Sequence, residues 1–266
     1  MRQNSTYILK LGGSLITDKT KPNTLKPEVI NDILQELKQA YVQTKANWLI
    51  GNGAGSFAHV PAKKYQTIKG IINDQSVYGA AVVKESALNL HYQILAAGIK
   101  QGLPTFSFSA SSFVQAGDYE PQKVFLSPLL QALKINLIPF FYGDVILDKK
   151  RGFTIYSTEK IIEIVAQELL DYKYKNITVI HLGITDGVLN KQHKTIPLIT
   201  QANFKELKAQ LTGSHGVDVT GGMLHKVEES LKLSKLGVKI IITNGLKPFM
   251  PLLQGKITKY CTRIAF

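Results

Sequence analysis

Residues 10–19 read KLGGSLITDK and follow directly on the apolar run Tyr7-Ile8-Leu9. The apolar run predicts a buried β-strand, and the two glycines with a serine predict a tight turn where that strand ends. Glycines let backbone N–H groups approach phosphate oxygens closely. Lys10 and Lys19 bracket the turn, and two ammonium groups can neutralise a phosphoryl group in transfer. The stretch predicts a phosphate site, although an ordinary glycine turn with solvated lysines has the same composition.

Beyond this stretch, strand-like runs alternate with helical patterns, which predicts βα units around a mainly parallel sheet. Helices are predicted over Pro27–Thr44, Ser76–Lys100, Thr158–Leu170 and Gly222–Leu236, with a short one after Pro248. Strands are predicted over Tyr7–Leu11, Trp48–Ile50, Thr105–Phe108, Leu137–Tyr142, Ile177–Ile180, Val238–Ile242 and Thr262–Ala265, and a hairpin over Ile146–Leu147 and Phe153–Tyr156. Sheets of this class bind ligands at the carboxyl ends of their strands.

The composition narrows the class of protein. The chain has 266 residues, is 44% hydrophobic and contains one cysteine, so we expect a large core without an internal disulfide or a cysteine metal site. No stretch approaches the roughly 20 apolar residues of a membrane span, and the first strand leaves no room for a signal peptide. We therefore expect a cytoplasmic protein with no membrane partner.

The net charge of +13 has two interpretations. A basic chain attracts polyanions such as nucleic acid or nucleotide phosphates, or it simply has a lysine-rich surface. The lysines are spread along the chain without a block of five, whereas a nucleic-acid-binding protein usually concentrates them. We expect no nucleic-acid partner.

Two further stretches, at residues 51–59 and 143–144, follow predicted strands. Residues 51–59 read GNGAGSFAH, a small-residue loop with His59 at its far end, where the imidazole could donate a hydrogen bond to a phosphate oxygen. A lone histidine is more often structural. Gly143-Asp144 ends the apolar run before it, but this pair is also a common turn.

The last two stretches lie in the C-terminal third. Residues 218–226 read DVTGGMLHK, in which Thr-Gly-Gly opens a helix whose free N–H groups can bind an anion. Lys226 lies one turn into that helix, where it either reaches the same anion or is simply exposed. Residues 185–188, TDGV, follow the strand at 177–180 and predict a turn beside a nucleotide.

Taken in order, these stretches resemble the amino acid kinase superfamily and, within it, the isopentenyl phosphate kinases. The Lys-Leu-Gly-Gly-Ser-x-Ile-Thr-x-Lys motif of that family is matched by residues 10–19, and its Ser-Phe-Gly-His loop by residues 53–59, with Ala58 in place of a glycine. Its Tyr-Gly-Asp-Val-x-Leu-Asp and Asp-Val-Thr-Gly-Gly-Met motifs are matched at residues 142–148 and 218–226. The resemblance covers essentially the whole chain.

The resemblance implies a fold and a reaction. The fold would be an α/β three-layer αβα sandwich with a mainly parallel central sheet, as one domain over residues 1–266. An acceptor lobe would cover about 1–170 and a nucleotide lobe about 171–266. The reaction would be ATP-dependent phosphorylation of isopentenyl phosphate to isopentenyl diphosphate, with Mg²⁺, in a homodimer.

The resemblance also implies residue roles. The catalytic residues would be Lys10, Lys19 and His59, with Lys19 stabilising the phosphoryl group in transfer. The residues for ATP would be Lys10, Gly12, Gly13, Ser14, Gly55, Asp186, Gly221, Gly222 and Lys226. The acceptor phosphate would be held by Ala54, Ala58, His59 and Gly143, and no residue is assigned as a metal ligand. Candidates for an apolar pocket around an isopentenyl tail are Tyr78, Val82, Val83, Ile146 and Ile155.

The chain departs from the family pattern at four places. Asn52 stands where the family commonly has histidine, Glu159 where it has aspartate, Ile184 where it has an acidic residue, and Cys261 where it has glycine. These departures indicate a divergent member, with altered nucleotide contacts or a different acceptor.

Other functions remain open on the sequence alone. A kinase of the fosfomycin type would share the lysines and the histidine but take a small polar phosphonate, so a deep apolar acceptor pocket would discriminate against it. His59 argues against an amino acid or carbamate kinase. A non-catalytic nucleotide-binding paralogue is opposed by the presence of both Lys10 and Lys19.

Overall fold

The computed structural model describes residues 5–211, 222–256 and 258–266. Its helices are α1 (Gly13–Ile16), α2 (Pro27–Thr44), α3 (Gly55–Lys64), α4 (Ser76–Lys100), α5 (Ser127–Lys134), α6 (Thr158–Asp171), α7 (Gln201–Leu211), α8 (Gly222–Lys235) and α9 (Met250–Leu253). Its strands are β1 (Thr6–Leu11), β2 (Asn47–Asn52), β3 (Thr105–Ser107), β4 (Val114–Gly117), β5 (Glu120–Val124), β6 (Ile138–Tyr142), β7 (Asp144–Asp148), β8 (Gly152–Tyr156), β9 (Ile177–Gly183), β10 (Leu198–Thr200), β11 (Lys239–Asn244) and β12 (Cys261–Ala265). Short 3-10 helices lie at Thr67–Lys69 and Ala110–Ser112.

The central sheet has eight strands in the order β10-β12-β11-β9-β1-β2-β6-β3. Every pair is parallel except β11 with β12. Strands from the first part of the chain form one half of this sheet, strands from the last part form the other half, and the two halves meet where β1 pairs with β9.

Alternate side chains of the central strands face opposite layers of helices, as the period of two in a strand requires. On one face, Ile8 and Val179 pack in a core with residues of α5, α6 and α8. On the other face, Leu9 and Ile180 pack in a core with residues of α2, α4 and α9. Two cores on two faces make a three-layer αβα sandwich, which confirms the predicted fold class.

A smaller sheet, in the order β5-β4-β7-β8, stands beside the central one. Strands β7 and β8 form the predicted antiparallel hairpin, paired from Asp144↔Tyr156 to Asp148↔Gly152. The carboxylate of Asp148 closes the hairpin turn, because it accepts hydrogen bonds from the backbone N–H groups of Lys150 and Arg151 at 2.9 and 3.0 Å. Val145 and Ile155 of the hairpin pack in a small apolar cluster with residues of α3 and α4.

The predicted helices and strands of the central sheet are confirmed, with boundaries that agree to within three residues. One local prediction was wrong: the small-residue loop does not extend to His59, because α3 begins at Gly55. Gly55 has φ +54°, a left-handed conformation that glycine adopts without strain. His59 therefore projects from the second turn of a helix.

Candidate active site

A cleft of about 530 Å³ opens at the carboxyl ends of the parallel strands. The sheet register brings the end of β1 beside the ends of β2 and β9, with Leu11 opposite both Asn52 and Leu182. The loops that follow these strands therefore meet, and Gly12, Gly53 and Gly183 all line the cleft. This is the place that ligands occupy in open α/β sheets.

The two N-terminal glycine loops lie against each other. A Cβ atom on Gly13 would come within 2.5 Å of the backbone nitrogen of Gly55, so only glycine fits at that contact. A Cβ atom on Gly12 would come within 2.7 Å of the carbonyl oxygen of Leu182. This packing brings the backbone of both loops to the wall of the cleft, where a phosphate-binding loop needs it.

Thr17 fastens the two loops together. Its hydroxyl donates a hydrogen bond to the carbonyl oxygen of Gly13 at 2.7 Å and accepts one from the N–H of Ser56 at 3.0 Å. Thr17 is fully buried, so neither bond competes with water. The side chain fixes the spacing between the loop expected to hold nucleotide phosphates and the helix expected to hold the acceptor phosphate.

Lys10 forms an ion pair inside the cleft. Its ammonium lies 2.7 Å from the Oε1 atom of Glu159, and its side chain is almost fully buried. Burial acts to raise the pKa of Glu159, but attraction to Lys10, Lys226 and His181 outweighs it and holds that pKa well below its ordinary value. Glu159 is thus a carboxylate at neutral pH that holds Lys10 in place. Ser157 supports it by capping α6, since its hydroxyl accepts from the N–H of Lys160 at 3.2 Å.

His181 lies beside this ion pair and was not among the predicted site residues. It lies on β9 opposite Lys10 and lines the cleft. Burial lowers its pKa to about 3; Glu159 acts to raise it, while Lys10 and Lys226 lower it further. The imidazole is therefore neutral at pH 7.

The other end of the cleft is apolar. It lies between α3, α4 and the β7–β8 hairpin, and it is lined by Ala58, Ala62, Val83, Ala87, Val145 and Ile155. Of the predicted tail contacts, Val83 and Ile155 line the cleft. Tyr78, Val82 and Ile146 lie outside its lining, because Tyr78 is exposed against Tyr65 and Ile146 is buried in the main core.

A buried polar network supports the acceptor side from behind. Asn52, at the end of β2, accepts a hydrogen bond on its side-chain oxygen from Nδ1 of His91 at 2.9 Å. Its carbonyl oxygen accepts from the Thr158 hydroxyl at 2.7 Å and from the Gly143 N–H at 3.3 Å. Asn52 thereby ties the end of β2 to the loop after β6 and to α6.

Asp144 lines the cleft but is fully engaged by the protein. Its carboxylate lies 2.6 Å from the ammonium of Lys84 and accepts hydrogen bonds from the N–H groups of Ser111 and Val145 at 2.9 and 2.8 Å. The side chain is buried, so these partners stabilise its charge. Asp144 acts as an anchor of the hairpin wall.

Most of the predicted site residues come together in this cleft. Its lining includes Lys10, Gly12, Gly13, Ser14, Lys19, Ala54, Gly55, Ala58, His59, Gly143 and Lys226. Asp186 lies outside the lining, exposed on the loop after β9, where it accepts a hydrogen bond from Asn244 at 2.7 Å. Gly222 is the first residue of α8, and Gly221 lies outside the described residues.

No group of three or more histidine, cysteine, aspartate or glutamate side chains is placed to hold a metal ion within the described ranges. Within those ranges, the carboxylates that line the cleft are Asp144 and Glu159, and each forms an ion pair with a lysine. In the same part of the chain, no helix is long and apolar enough to cross a membrane.

Comparison with known proteins agrees with this geometry. The model of the amino acid kinase family matches residues 5–244. The isopentenyl phosphate kinase of Methanocaldococcus jannaschii is 32% identical over 231 residues, which cover 83% of this chain and 85% of that protein. The isopentenyl phosphate kinase of Methanothermobacter thermautotrophicus is 29% identical over 252 residues, 91% of each chain.

A solved X-ray structure of isopentenyl phosphate kinase has the same fold, with a TM-score of 0.77 at 26% identity. The match covers 98% of this chain and 100% of that one. With a family model over most of its length and a relative above 30% identity over four fifths of it, the chain belongs to the amino acid kinase family.

Proposed function

We propose that this chain transfers the γ-phosphoryl group of ATP to isopentenyl phosphate, forming isopentenyl diphosphate and ADP. The observation that carries the proposal is a cleft with two chemically different ends. One end has glycine loops and lysines, and the other has alanines, valines and an isoleucine. A small phosphate monoester with a hydrocarbon tail matches both ends at once, and the named relatives act on such a compound.

The apolar end distinguishes this acceptor from its rivals. A short polar phosphonate would leave the surface of Ala62, Val83 and Ala87 in contact with water, whereas a five-carbon tail would cover it. Burial of apolar surface contributes about 25 cal/mol per Å². A carboxylate acceptor would likewise leave this end empty. The apolar lining therefore favours an isoprenoid phosphate over a fosfomycin-type or amino acid substrate.

The basic end is suited to the phosphates of ATP. Lys10, Lys226 and the N–H groups of the glycine loops would bind the phosphate chain, and Lys19 at the exposed rim would stabilise the phosphoryl group in transfer. In the reaction, the bond from the γ-phosphorus to ADP breaks and a bond from that phosphorus to an acceptor oxygen forms. Fixed positive charge lowers the cost of bringing two polyanions together.

The acceptor needs no strong general base. The second pKa of a phosphate monoester is about 6, so the acceptor is largely a dianion at neutral pH. His59 lines the cleft on the same helix as Ala58 and Ala62, between the glycine loop and the apolar end. We infer that His59 donates a hydrogen bond that holds the acceptor phosphate.

Magnesium would enter with the nucleotide. Mg²⁺ is commonly bound by substrate phosphates and waters with one or two carboxylates. Because Asp144 and Glu159 are already paired with lysines, we expect phosphate oxygens to supply most of its ligands. Its contribution would be to neutralise phosphate charge.

We further propose a cytoplasmic homodimer in which residues 1–170 supply the acceptor lobe and residues 171–266 the nucleotide lobe. The meeting of two half-sheets at β1 and β9 supports the division. Light scattering coupled to gel filtration measures the mass, and a value near the 29.4 kDa of a single chain would contradict the dimer.

The proposal is tested by ADP release from ATP and Mg²⁺ with five acceptors: isopentenyl phosphate, dimethylallyl phosphate, fosfomycin, glutamate and UMP. We expect turnover with isopentenyl phosphate, alone or with its dimethylallyl isomer. Turnover of another acceptor with silence on both isoprenoid phosphates would refute the substrate and leave the kinase assignment standing.

A further inference from the structure

His181 occupies a position at the centre of the sheet. It lies on β9, opposite Lys10 on β1 and opposite Ile242 on β11, and all three side chains line the cleft. In the alternation of β9, His181 shares a face with Ile177 and Val179, which pack toward α6 and α8. Those two helices carry Glu159 and Lys226. His181 is thus held on the rigid floor of the cleft.

The imidazole lacks a partner that a buried polar group normally has. Its side chain is 4% exposed, and its Nδ1 atom is buried without a hydrogen-bond partner. Polar atoms buried in this way are usually paired, and leaving one unpaired costs about 1–3 kcal/mol. His181 lies on the floor of a ligand cleft, so a bound ligand could supply the missing hydrogen-bond partner and remove this cost.

The neighbouring charges indicate what kind of partner it is. The charges that affect the pKa of His181 are those of Lys10, Lys226 and Glu159. Two of them are ammonium groups and one is a carboxylate. The ammonium of Lys10 is already bound to Glu159 at 2.7 Å. A ligand that approaches two ammonium groups and an imidazole is an anion, and in the proposed reaction the anion on this side is the phosphate chain of the nucleotide.

We propose that His181 binds a phosphate oxygen of the nucleotide through the ring nitrogen that lacks a partner in the free protein. A neutral imidazole carries one N–H, and a phosphate oxygen is an acceptor, so the tautomer with the proton on that nitrogen makes the bond. His181 contacts the same part of the nucleotide as Lys10 and Lys226. The inference rests on the nucleotide half of the proposed function and not on the identity of the acceptor.

The test compares two substitutions that keep different parts of the histidine. His181→Phe keeps the ring but removes both nitrogens, and His181→Asn keeps a donor near the position of Nδ1 in a smaller side chain. Each purified chain is titrated with a non-hydrolysable ATP analogue and Mg²⁺ by calorimetry, and its thermal unfolding is followed by circular dichroism. His193→Phe, on an exposed loop, is the control for loss of a histidine outside the cleft.

The two variants are expected to rank in opposite orders by nucleotide affinity and by unfolding temperature. His181→Phe should bind the analogue about ten-fold more weakly, because a hydrogen bond to a charged group is lost. Its midpoint of unfolding should equal or exceed the wild-type value, because an unpaired buried nitrogen is removed. His181→Asn should retain affinity within about three-fold while unfolding at a lower temperature, since it leaves a cavity. A histidine with only a structural role would make affinity follow stability.

Equal affinity of His181→Phe and the wild type for the analogue would overturn the proposal, as would affinities that fall in the order of the unfolding temperatures. ADP serves as a second probe. A loss confined to the ATP analogue assigns the contact to the γ-phosphate, and a loss with both assigns it to the phosphates they share. The readout needs no acceptor, so it remains valid if isopentenyl phosphate is not the substrate. Failure of the wild-type chain to bind nucleotide would instead refute the proposed function.

Discussion

The Thr17→Val substitution tests how the two glycine loops are held. Valine has nearly the shape of threonine, so the change removes the hydroxyl and little else. The N–H of Ser56 then loses its partner at 3.0 Å, whereas the carbonyl of Gly13 loses the hydroxyl at 2.7 Å but still accepts from the backbone N–H of residue 17 at 3.0 Å. One unsatisfied buried group costs about 1–3 kcal/mol, so we expect a loss of that size in the free energy of unfolding.

The chain offers a matched control. Thr154 on β8 is also fully buried, but its hydroxyl has no hydrogen-bond partner. Thr154→Val removes an unpaired polar atom, so its effect should be neutral or stabilising. The same chemical change at two buried threonines is thus expected to have opposite signs. Thr17→Ser keeps the hydroxyl and should lie between the wild type and Thr17→Val.

The assay is thermal unfolding by calorimetry, combined with steady-state kinetics. A loss of about 1–3 kcal/mol corresponds to a fall of roughly 2–12 °C in Tm for a domain of this size. Because Thr17 sets the spacing between the loops for both substrates, kcat should fall in Thr17→Val and remain near wild type in Thr154→Val. Equal changes of Tm in the two valine variants would show that the Thr17 hydroxyl does not hold the two loops together.

Three further outcomes follow from the cleft. His59→Ala should raise KM for the acceptor far more than KM for ATP, while His193→Ala, on an exposed loop, should change neither; equal acceptor KM values for both variants would remove His59 from the site. Ala87→Leu should raise the acceptor KM about ten-fold by filling the apolar end, whereas Ala81→Leu on the exposed face of the same helix should not; matching kinetics would place the tail elsewhere. Burial, with a contribution from Lys84, lowers the pKa of His91 to about 4, so as the pH falls from 6.5 to 4 the unfolded chain takes up its proton first and stability declines. His91→Leu should flatten that decline by up to about 3 kcal/mol in urea titrations, and an unchanged slope would contradict the assigned pKa.

Periodicity in the sequence predicts the framework of the fold well. Apolar residues in α2 and α4 recur at the spacing of a helix. Both predicted ranges match the structure from end to end. The first turns of α3, up to His59, were predicted as a loop because the sequence of this helix has low helix propensity. The helix begins with Gly55 at a positive φ and contains Pro61. Packing of its Ala58 face against α4 stabilises it, and that contact is invisible in a local window.

Site residues that belong to one motif were predicted from the sequence. Site residues that are brought together only by the pairing of distant strands were missed. Lys10 and Lys19 lie at the two ends of one glycine-rich stretch, so the sequence alone indicates that they belong to the same site. His181 interrupts an apolar strand and resembles a core histidine until the register of β9 with β1 places it opposite Lys10. Thr17 belongs to the motif, but its role depends on how closely Gly13 and Ser56 approach.

The tail contacts depend on which face of a strand a residue occupies. Val145 and Ile146 are neighbours on β7, yet Val145 lines the cleft and Ile146 is buried in the main core. Both faces of this strand are buried, so alternation of polar and apolar residues gives no signal.

The most direct test of the proposed reaction is to identify its product by ³¹P NMR, starting from ATP, Mg²⁺ and isopentenyl phosphate. The proposed reaction predicts that the signal of the monophosphate is replaced by the two coupled signals of a diphosphate, in step with the appearance of ADP. A spectrum in which ATP is consumed and only orthophosphate appears, or in which isopentenyl phosphate persists unchanged, would contradict it.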